Sequence, residues 1–337
     1  MYEAYFGLRR NPFGQTPDPD LLFLTEAHRD AAAGLTYAIL GSKGFSVLTG
    51  DAGTGKTTLL RSVIGQMPAE RVQFSLVLNP ALSTPEFFET ALADFGVKEL
   101  PSNKAEALSL FEQFLLKVHE AGSIAVLVVD EAHRLSIELL EEIRLLTNFE
   151  TERSKLLQIV LAGQDELNEM LDRHDMRQLK QRIWIRLAIR PLHSEEVGPY
   201  IQHRWRQLSD REPPFGDETV RLIAEASKGI PRVVNSICDN ALLVAYALGA
   251  TEIAPEHIRE VARDLHLLNG HKKRPVDTNG IIGLDGSQQP KAPQETGDVY
   301  GLAGATSEGV VTRWWRRRIE PRPAGQRLGY WRREPRP

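Results

Sequence analysis

The chain has 337 residues, 42% hydrophobic and 26% charged, an ordinary globular composition with room for two or three compact domains. Its net charge of −4 is unevenly spread: residues 271–337 carry 13 Lys and Arg against 7 Asp and Glu, so a basic tail follows an acidic body. A single cysteine, Cys238, excludes an intramolecular disulfide, and no signal peptide or long apolar run is evident, so the sequence predicts a cytoplasmic protein without a transmembrane segment.

From residue 44 to about residue 190, short apolar runs alternate with helical patterns. A strand at 45–48 precedes a helix at 57–66, and a strand at 72–78 precedes helices at 84–95 and 104–120. A strand at 124–129, apolar throughout, precedes a helix at 137–148. A strand at 156–161 then leads to a helix at 165–173, and an alternating strand at 183–189 closes the series. This alternation predicts a layered α/β domain with a mostly parallel sheet, whose central strand is covered on both faces.

After Pro191 the strand signal stops, and helices are expected at 195–208, 217–227, 231–248 and 255–268. In the third, Val233, Ile237, Ala241, Val244 and Leu248 recur at steps of three or four and predict an apolar stripe. Pro231 and Pro255 fall where first-turn prolines are tolerated. The expected organisation is an α/β core with an N-terminal arm (1–190), a helical lid (191–269) and a disordered basic tail rich in Trp, Arg and Pro (270–337).

Gly50-Asp51-Ala52-Gly53-Thr54-Gly55-Lys56-Thr57 is a full G-x-x-x-x-G-K-[ST] motif with a strand before it and a helix after it. Its glycines let the backbone curl so that successive N–H groups can face phosphate oxygens, and the following helix start adds partial positive charge. Lys56 is suited to neutralise the β- and γ-phosphates, Thr57 to ligate Mg²⁺, and Thr58 to reach the α-phosphate. The motif predicts an ATP–Mg²⁺ site.

The strand Ala125-Val126-Leu127-Val128-Val129 ends in Asp130-Glu131. By itself this is also the pattern of an acidic strand end in a solvated turn. Beside a phosphate loop, Asp130 is expected to hold Mg²⁺ and Glu131 to orient and deprotonate the attacking water. A binding switch would not need Glu131, so the pair predicts hydrolysis.

These two motifs, followed by helices, resemble the AAA+ class of P-loop ATPases. Further segments resemble the ExeA/GspA (general secretion pathway protein A) family: Tyr2-Glu3-Ala4-Tyr5-Phe6-Gly7-Leu8, Asn11-Pro12-Phe13, Thr16-Pro17-Asp18-Pro19, Gly44-Phe45-Ser46-Val47-Leu48-Thr49-Gly50, Asp130-Glu131-Ala132-His133, Leu156-Leu157-Gln158-Ile159-Val160-Leu161-Ala162-Gly163-Gln164 and Gly229-Ile230-Pro231-Arg232. The likeness spans about 1–268 and implies an AAA+ three-layer core with a lid. It implies Gln164 as first sensor of the γ-phosphate, with Asn148 as the alternative, and Arg232 as second sensor. Arg182, or else Arg177, would be the arginine finger reaching a neighbouring subunit, which implies a homo-oligomer. Phe6, Pro12 and Phe13 would cover the adenine or else anchor the arm. His133 has no second ligand at metal spacing and is assigned no metal.

Family members that continue into a transmembrane helix and a peptidoglycan-binding domain serve secretion; this chain is read as a soluble form without them. The resemblance implies a protein partner in an export or envelope machine. Arg313-Trp314-Trp315-Arg316-Arg317-Arg318 and Gly329-Tyr330-Trp331-Arg332-Arg333 would suit DNA or an anionic membrane surface, or have no binding role. The alternative task is that of a DNA-associated ATPase of the transposition type.

Overall fold

The computed structural model describes residues 1–267 other than 79, 80, 100 and 153. The tail motifs at 313–318 and 329–333 lie outside the described residues. Five strands, β1 (Phe45–Thr49), β2 (Val72–Val77), β3 (Ile124–Val129), β4 (Leu157–Gly163) and β5 (Ile183–Ala188), form one parallel sheet in the order β2-β3-β4-β1-β5. The burial of each strand follows from its place. β1 and β4 are buried at every residue and β3 at all but its first, whereas the edge strand β5 alternates half-buried and exposed side chains.

The period-two alternation divides the core between two faces. On one side Val47, Leu127, Val129, Ile159 and Leu161 meet α4 (Thr84–Asp94), α5 (Lys104–Glu120), α6 (Ile137–Leu146) and α7 (Glu166–Asp172), through side chains such as Phe88, Phe111, Ile143 and Leu167. On the other, Leu48, Val126, Val128, Val160 and Ala162 meet α2 (Glu26–Leu40) and α3 (Lys56–Gln66) through Leu35, Ile39, Leu59 and Val63. The result is an α/β/α sandwich. A short helix, α8 (Arg177–Lys180), precedes β5.

The register levels the carboxyl ends of three strands: Thr49 pairs with Gly163, and Val129 with Leu161. The segments that follow β1, β3 and β4 therefore emerge side by side, where ligands of such sheets bind. β4 lies between β1 and β3, so Gln164 leaves the sheet between the phosphate loop and Asp130.

Helices α9 (Ser194–Arg206), α10 (Asp217–Ser227), α11 (Pro231–Ala247) and α12 (Pro255–Asp264) enclose a separate cluster with Trp205, Ile223, Ile237, Cys238, Ala241 and Ile258 at its centre. The expected stripe on α11 needs correction. Its buried face runs through Val234, Ile237, Cys238, Ala241, Leu242 and Ala245, while Leu248 is 67% exposed beyond the last turn. α11 packs against both α10 and α12, so its buried arc is broader than one stripe and turned by about a residue.

The N-terminal segment, including α1 (Tyr2–Phe6), joins this helical cluster through Tyr2, Phe6, Leu8 and Phe13. Polar ties reinforce it: Arg204 Nε donates to Pro12 O at 2.7 Å, Ser209 Oγ to Gly7 O at 3.0 Å, and Tyr2 Oη to Asp239. Of the two roles weighed for Phe6 and Phe13, the anchor is the one their packing matches, because both side chains are spent in this core.

Candidate active site

The phosphate loop turns through positive φ at Gly53 (81°) and Gly55 (104°), a region glycine enters without steric penalty. At Gly50 a side chain would meet Ile189 O at 2.3 Å, so the loop is seated against the end of the sheet. α3 then starts at Lys56 without a capping side chain, which leaves its first-turn amides to an external acceptor. Lys56 Nζ donates to Gly50 O at 2.6 Å and to Asp51 O at 2.9 Å, stationing the ammonium across the loop. Burial pushes the Lys56 pKa down, against the opposing pull of Glu131, Asp130, Asp51 and Asp165.

Thr57 Oγ1 donates to Asp130 Oδ2 across 2.6 Å, joining positions 73 residues apart. Asp130 is buried, and its Oδ1 accepts from the Glu131 amide at 2.9 Å. Glu131 takes φ 53° and ψ 32°, a left-handed conformation that costs a non-glycine residue roughly 1–2 kcal/mol and that clusters at functional sites. The reversal sends Glu131 into the cleft while Asp130 faces Thr57.

Ala52, Gly53, Thr54, Gly55, Lys56, Thr57, Thr58, Glu131, Gln164 and Arg232 all line one open cleft. Gly50, Asp51 and Asp130 stand just behind its lining through the bonds described. Arg232 comes from the start of α11, and its N–H donates to Gly53 O at 3.2 Å. Arg182 does not line the cleft: it follows α8, and its Nη1 donates to Thr147 O at 3.4 Å. Arg177 and Asn148 are exposed and also absent from the cleft lining.

Several cleft residues escaped the sequence reading. Residues 14–18 and 21–23 form one wall, so it is this stretch, rather than Phe6 or Phe13, that borders the site. Tyr200, Arg204 and Asn235 contribute from the helical part, with Tyr200 Oη donating to Asn235 Oδ1 at 2.8 Å. His28 stands beneath the loop. Its Nδ1 lies 2.7 Å from Thr25 Oγ1 and its Nε2 3.1 Å from Thr54 O. A hydroxyl donating to Nδ1 leaves the proton on Nε2, which then donates to the loop carbonyl. The signal that would have found His28 is the run Ala31, Leu35, Ala38 and Ile39, which marks α2 as a core helix.

Residues 39–171 match the AAA domain family. General secretion pathway protein A of Aeromonas hydrophila is 36% identical over 319 residues, an alignment that covers 94% of this chain and 54% of that protein. The chain carries a domain of the AAA family and is a relative of general secretion pathway protein A. It spans about half the length of that relative. The ATP-dependent target DNA activator B of Escherichia phage Mu is 21% identical, with 75% of this chain and 76% of that protein covered. Among solved structures, Cdc6p of Pyrobaculum aerophilum superposes with a TM-score of 0.59 at 17% identity, covering 79% of this chain and 73% of its own. The ORC2 protein of Aeropyrum pernix gives 0.58 at 16%, covering 77% and 72%. At these identities the likeness is one of fold, the AAA+ nucleotide-binding sandwich with appended helices.

The donor set fits Mg²⁺. A hydroxyl and a carboxylate 2.6 Å apart are hard oxygen ligands, and this ion commonly takes one or two protein ligands with phosphate oxygens and water. Among the described residues there is no cluster of three or more His, Cys, Asp or Glu able to hold a metal, and no helix is long and apolar enough to cross a membrane.

Proposed function

We propose that this AAA+ chain binds ATP with Mg²⁺ in the cleft, hydrolyses it, and acts as a cytoplasmic oligomer whose turnover drives the assembly or operation of a secretion or envelope-export machine. The Thr57–Asp130 contact carries the reading, because it pairs a hydroxyl and a carboxylate of the kind Mg²⁺ takes as ligands beside the phosphate loop, with Glu131 and Gln164 on the same cleft. The loop and the uncapped start of α3 hold the triphosphate, and Lys56 neutralises its charge. Thr57 and Asp130 would hold Mg²⁺, which would supply further neutralisation at the phosphates. Glu131 accepts a proton from the attacking water, Gln164 donates to the γ-phosphate, and Arg232 brings a cation from the helical part. Arg182, which does not line its own cleft, would serve as the finger in a neighbour's, a role its absence from the lining supports. The kinship with general secretion pathway protein A supports the export task. Phosphate release by the purified chain, lost in Glu131→Gln with ATP binding retained, tests the enzymatic part.

A second reading has one specific support: the likeness to the phage Mu protein, whose name gives it a DNA target. Under it, the basic residues beyond 310 grip phosphates. Binding to mixed-sequence DNA that weakens steeply with salt and vanishes without residues 311–337 would favour it.

A further inference from the structure

His133 has no role in the hydrolytic scheme, yet its ring lies between two residues that scheme uses. The chain leaves β3 at Asp130 and enters a 3-10 turn, Ala132–Arg134, and the left-handed Glu131 folds that turn back on itself. His133 Nε2 thereby comes to 3.7 Å from Glu131 Oε2. From the other side β4 ends at Gly163, where a side chain would meet the His133 amide nitrogen at 3.0 Å. Glycine lets the two strand ends close, and Gln164 then reaches the ring twice. Its backbone N–H donates to His133 Nδ1 at 3.3 Å, and its side-chain amide lies 3.1 Å from Nε2.

A neutral imidazole accepts at only one nitrogen. With Nδ1 taken by the Gln164 amide, the proton sits on Nε2, and the Gln164 side chain meets it through oxygen, the two ends of an amide being assigned by their bonding partners. One N–H thus faces two acceptors. It is within bonding range of Gln164, and 3.7 Å is too long for a hydrogen bond to Glu131. In this arrangement the proton belongs to Gln164 and the carboxylate is left loosely held, its side chain 43% exposed.

We propose that His133 is a positioning residue that makes the orientation of Glu131 depend on the γ-phosphate. When Gln164 turns its amide to the phosphate, the Nε2–H is released and closes the short gap to Glu131, fixing the carboxylate toward the attacking water. Only hydrogen bonds change; the proton drawn from water stays with Glu131. This inference rests on the hydrolytic reading above and adds to it a reason why turnover waits for a triphosphate.

The test uses the full chain, with phosphate release for kcat and equilibrium titration for ATP affinity, in wild type, His133→Ala, Gln164→Ala and the double variant. Misplacement of a reacting group by an ångström can cost about a hundredfold. His133→Ala should therefore lose ten- to hundredfold in kcat while ATP affinity stays within about twofold, and the double variant should be no slower than the slower single one. Nitrogen NMR of the His133 ring should show Nε2 protonated without nucleotide and a shifted Nε2 signal with a nonhydrolysable ATP analogue. His133→Asn, which keeps an amide in place of the ring, should recover part of the rate, and it stands in if His133→Ala does not fold. Losses that multiply in the double variant, an unchanged kcat, or a ring signal indifferent to nucleotide would overturn the proposal. A wild-type chain with no turnover would instead overturn the hydrolytic reading, and this one with it.

Discussion

The amide of Arg232 donates to the carbonyl of Gly53 across 3.2 Å, which ties the first turn of α11 to the phosphate loop. The N-terminal arm adds a second tie, since Gln15 Nε2 donates to Ser236 Oγ at 2.9 Å on the same helix. Loop, helical part and arm therefore meet at the cleft. A ligand bound there touches all three, and this is the physical route by which its state can be read outside the sheet.

Gly53→Ala should weaken ATP binding by roughly tenfold or more. The added methyl would sit 2.8 Å from Arg232 Cβ, at a φ of 81° that disfavours a side chain. Strain and overpacking of this kind cost on the order of 1–3 kcal/mol, and tenfold corresponds to about 1.4 kcal/mol. Isothermal titration with ATP measures it, and an affinity equal to wild type would show that the lid contact is not used when nucleotide binds.

Binding and hydrolysis should separate between Lys56→Ala and Glu131→Gln. Removing the Lys56 ammonium takes away the buried cation at the loop, so ATP affinity should fall below detection at micromolar protein. Glu131→Gln keeps the Thr57–Asp130 pair and should bind ATP near normally, while phosphate release drops by about 10²–10⁴-fold with loss of the general base. Normal turnover in Glu131→Gln would place the base elsewhere.

What could be read from the sequence was what local pattern dictates. The phosphate loop has a fixed spacing, and the strand ending in Asp130 is apolar throughout because it is covered on both faces. The helices with strong amphipathic spacing were found within a few residues at their ends. α2 was not, because its sequence opens with charged residues and a run of alanines that dilute the helical spacing of Ala31, Leu35, Ala38 and Ile39. The cleft wall at residues 14–23 was illegible for another reason: an irregular segment has no periodicity, and its position is set by distant partners such as Arg204. His133 stood in plain view beside the acidic pair. Its partner Gln164 lies 31 residues on, and only the strand order brings the two together.

Arg182 should act across a subunit boundary. Among the described residues its guanidinium donates to Thr147 O at a long 3.4 Å and acts on the nearby Glu150 carboxylate, and it borders no part of its own cleft. Arg182→Ala and Glu131→Gln should each be nearly inactive alone. Mixed, they should regain a measurable fraction of wild-type phosphate release, because one neighbour supplies the base and the other the guanidinium. No recovery on mixing, with both variants folded, would assign the finger elsewhere, Arg177 being the next candidate to test in the same way.

Acid should destabilise the chain partly through His28. Burial, the largest influence, pushes its pKa below the ordinary 6.5, outweighing the bond to Thr54, which favours the charged form. The unfolded chain therefore takes up the proton first as pH falls. The stabilisation is complete above about 6.5 and is lost progressively below it, with a slope of at most ~1.4 kcal/mol per pH unit for one group. His203, also lowered chiefly by burial, adds in the same direction. Glu86 and Glu106, lowered by bonds from Ser83 and Ser102, act from the usual carboxylate range downward, and Asp94, raised by burial, acts alike in both chains, so the difference between wild type and a His28 variant from pH 7.5 to 5 isolates His28. Denaturant melts across that window should show His28→Gln losing less stability on acidification than wild type, since its amide can still donate to Thr54 O without taking a proton. Parallel curves for the two chains would mean that folding leaves the His28 pKa unshifted, and a wild type that gains stability on acidification relative to the variant would mean that His28 is charged in the folded state and that the tautomer assigned beneath the phosphate loop is wrong.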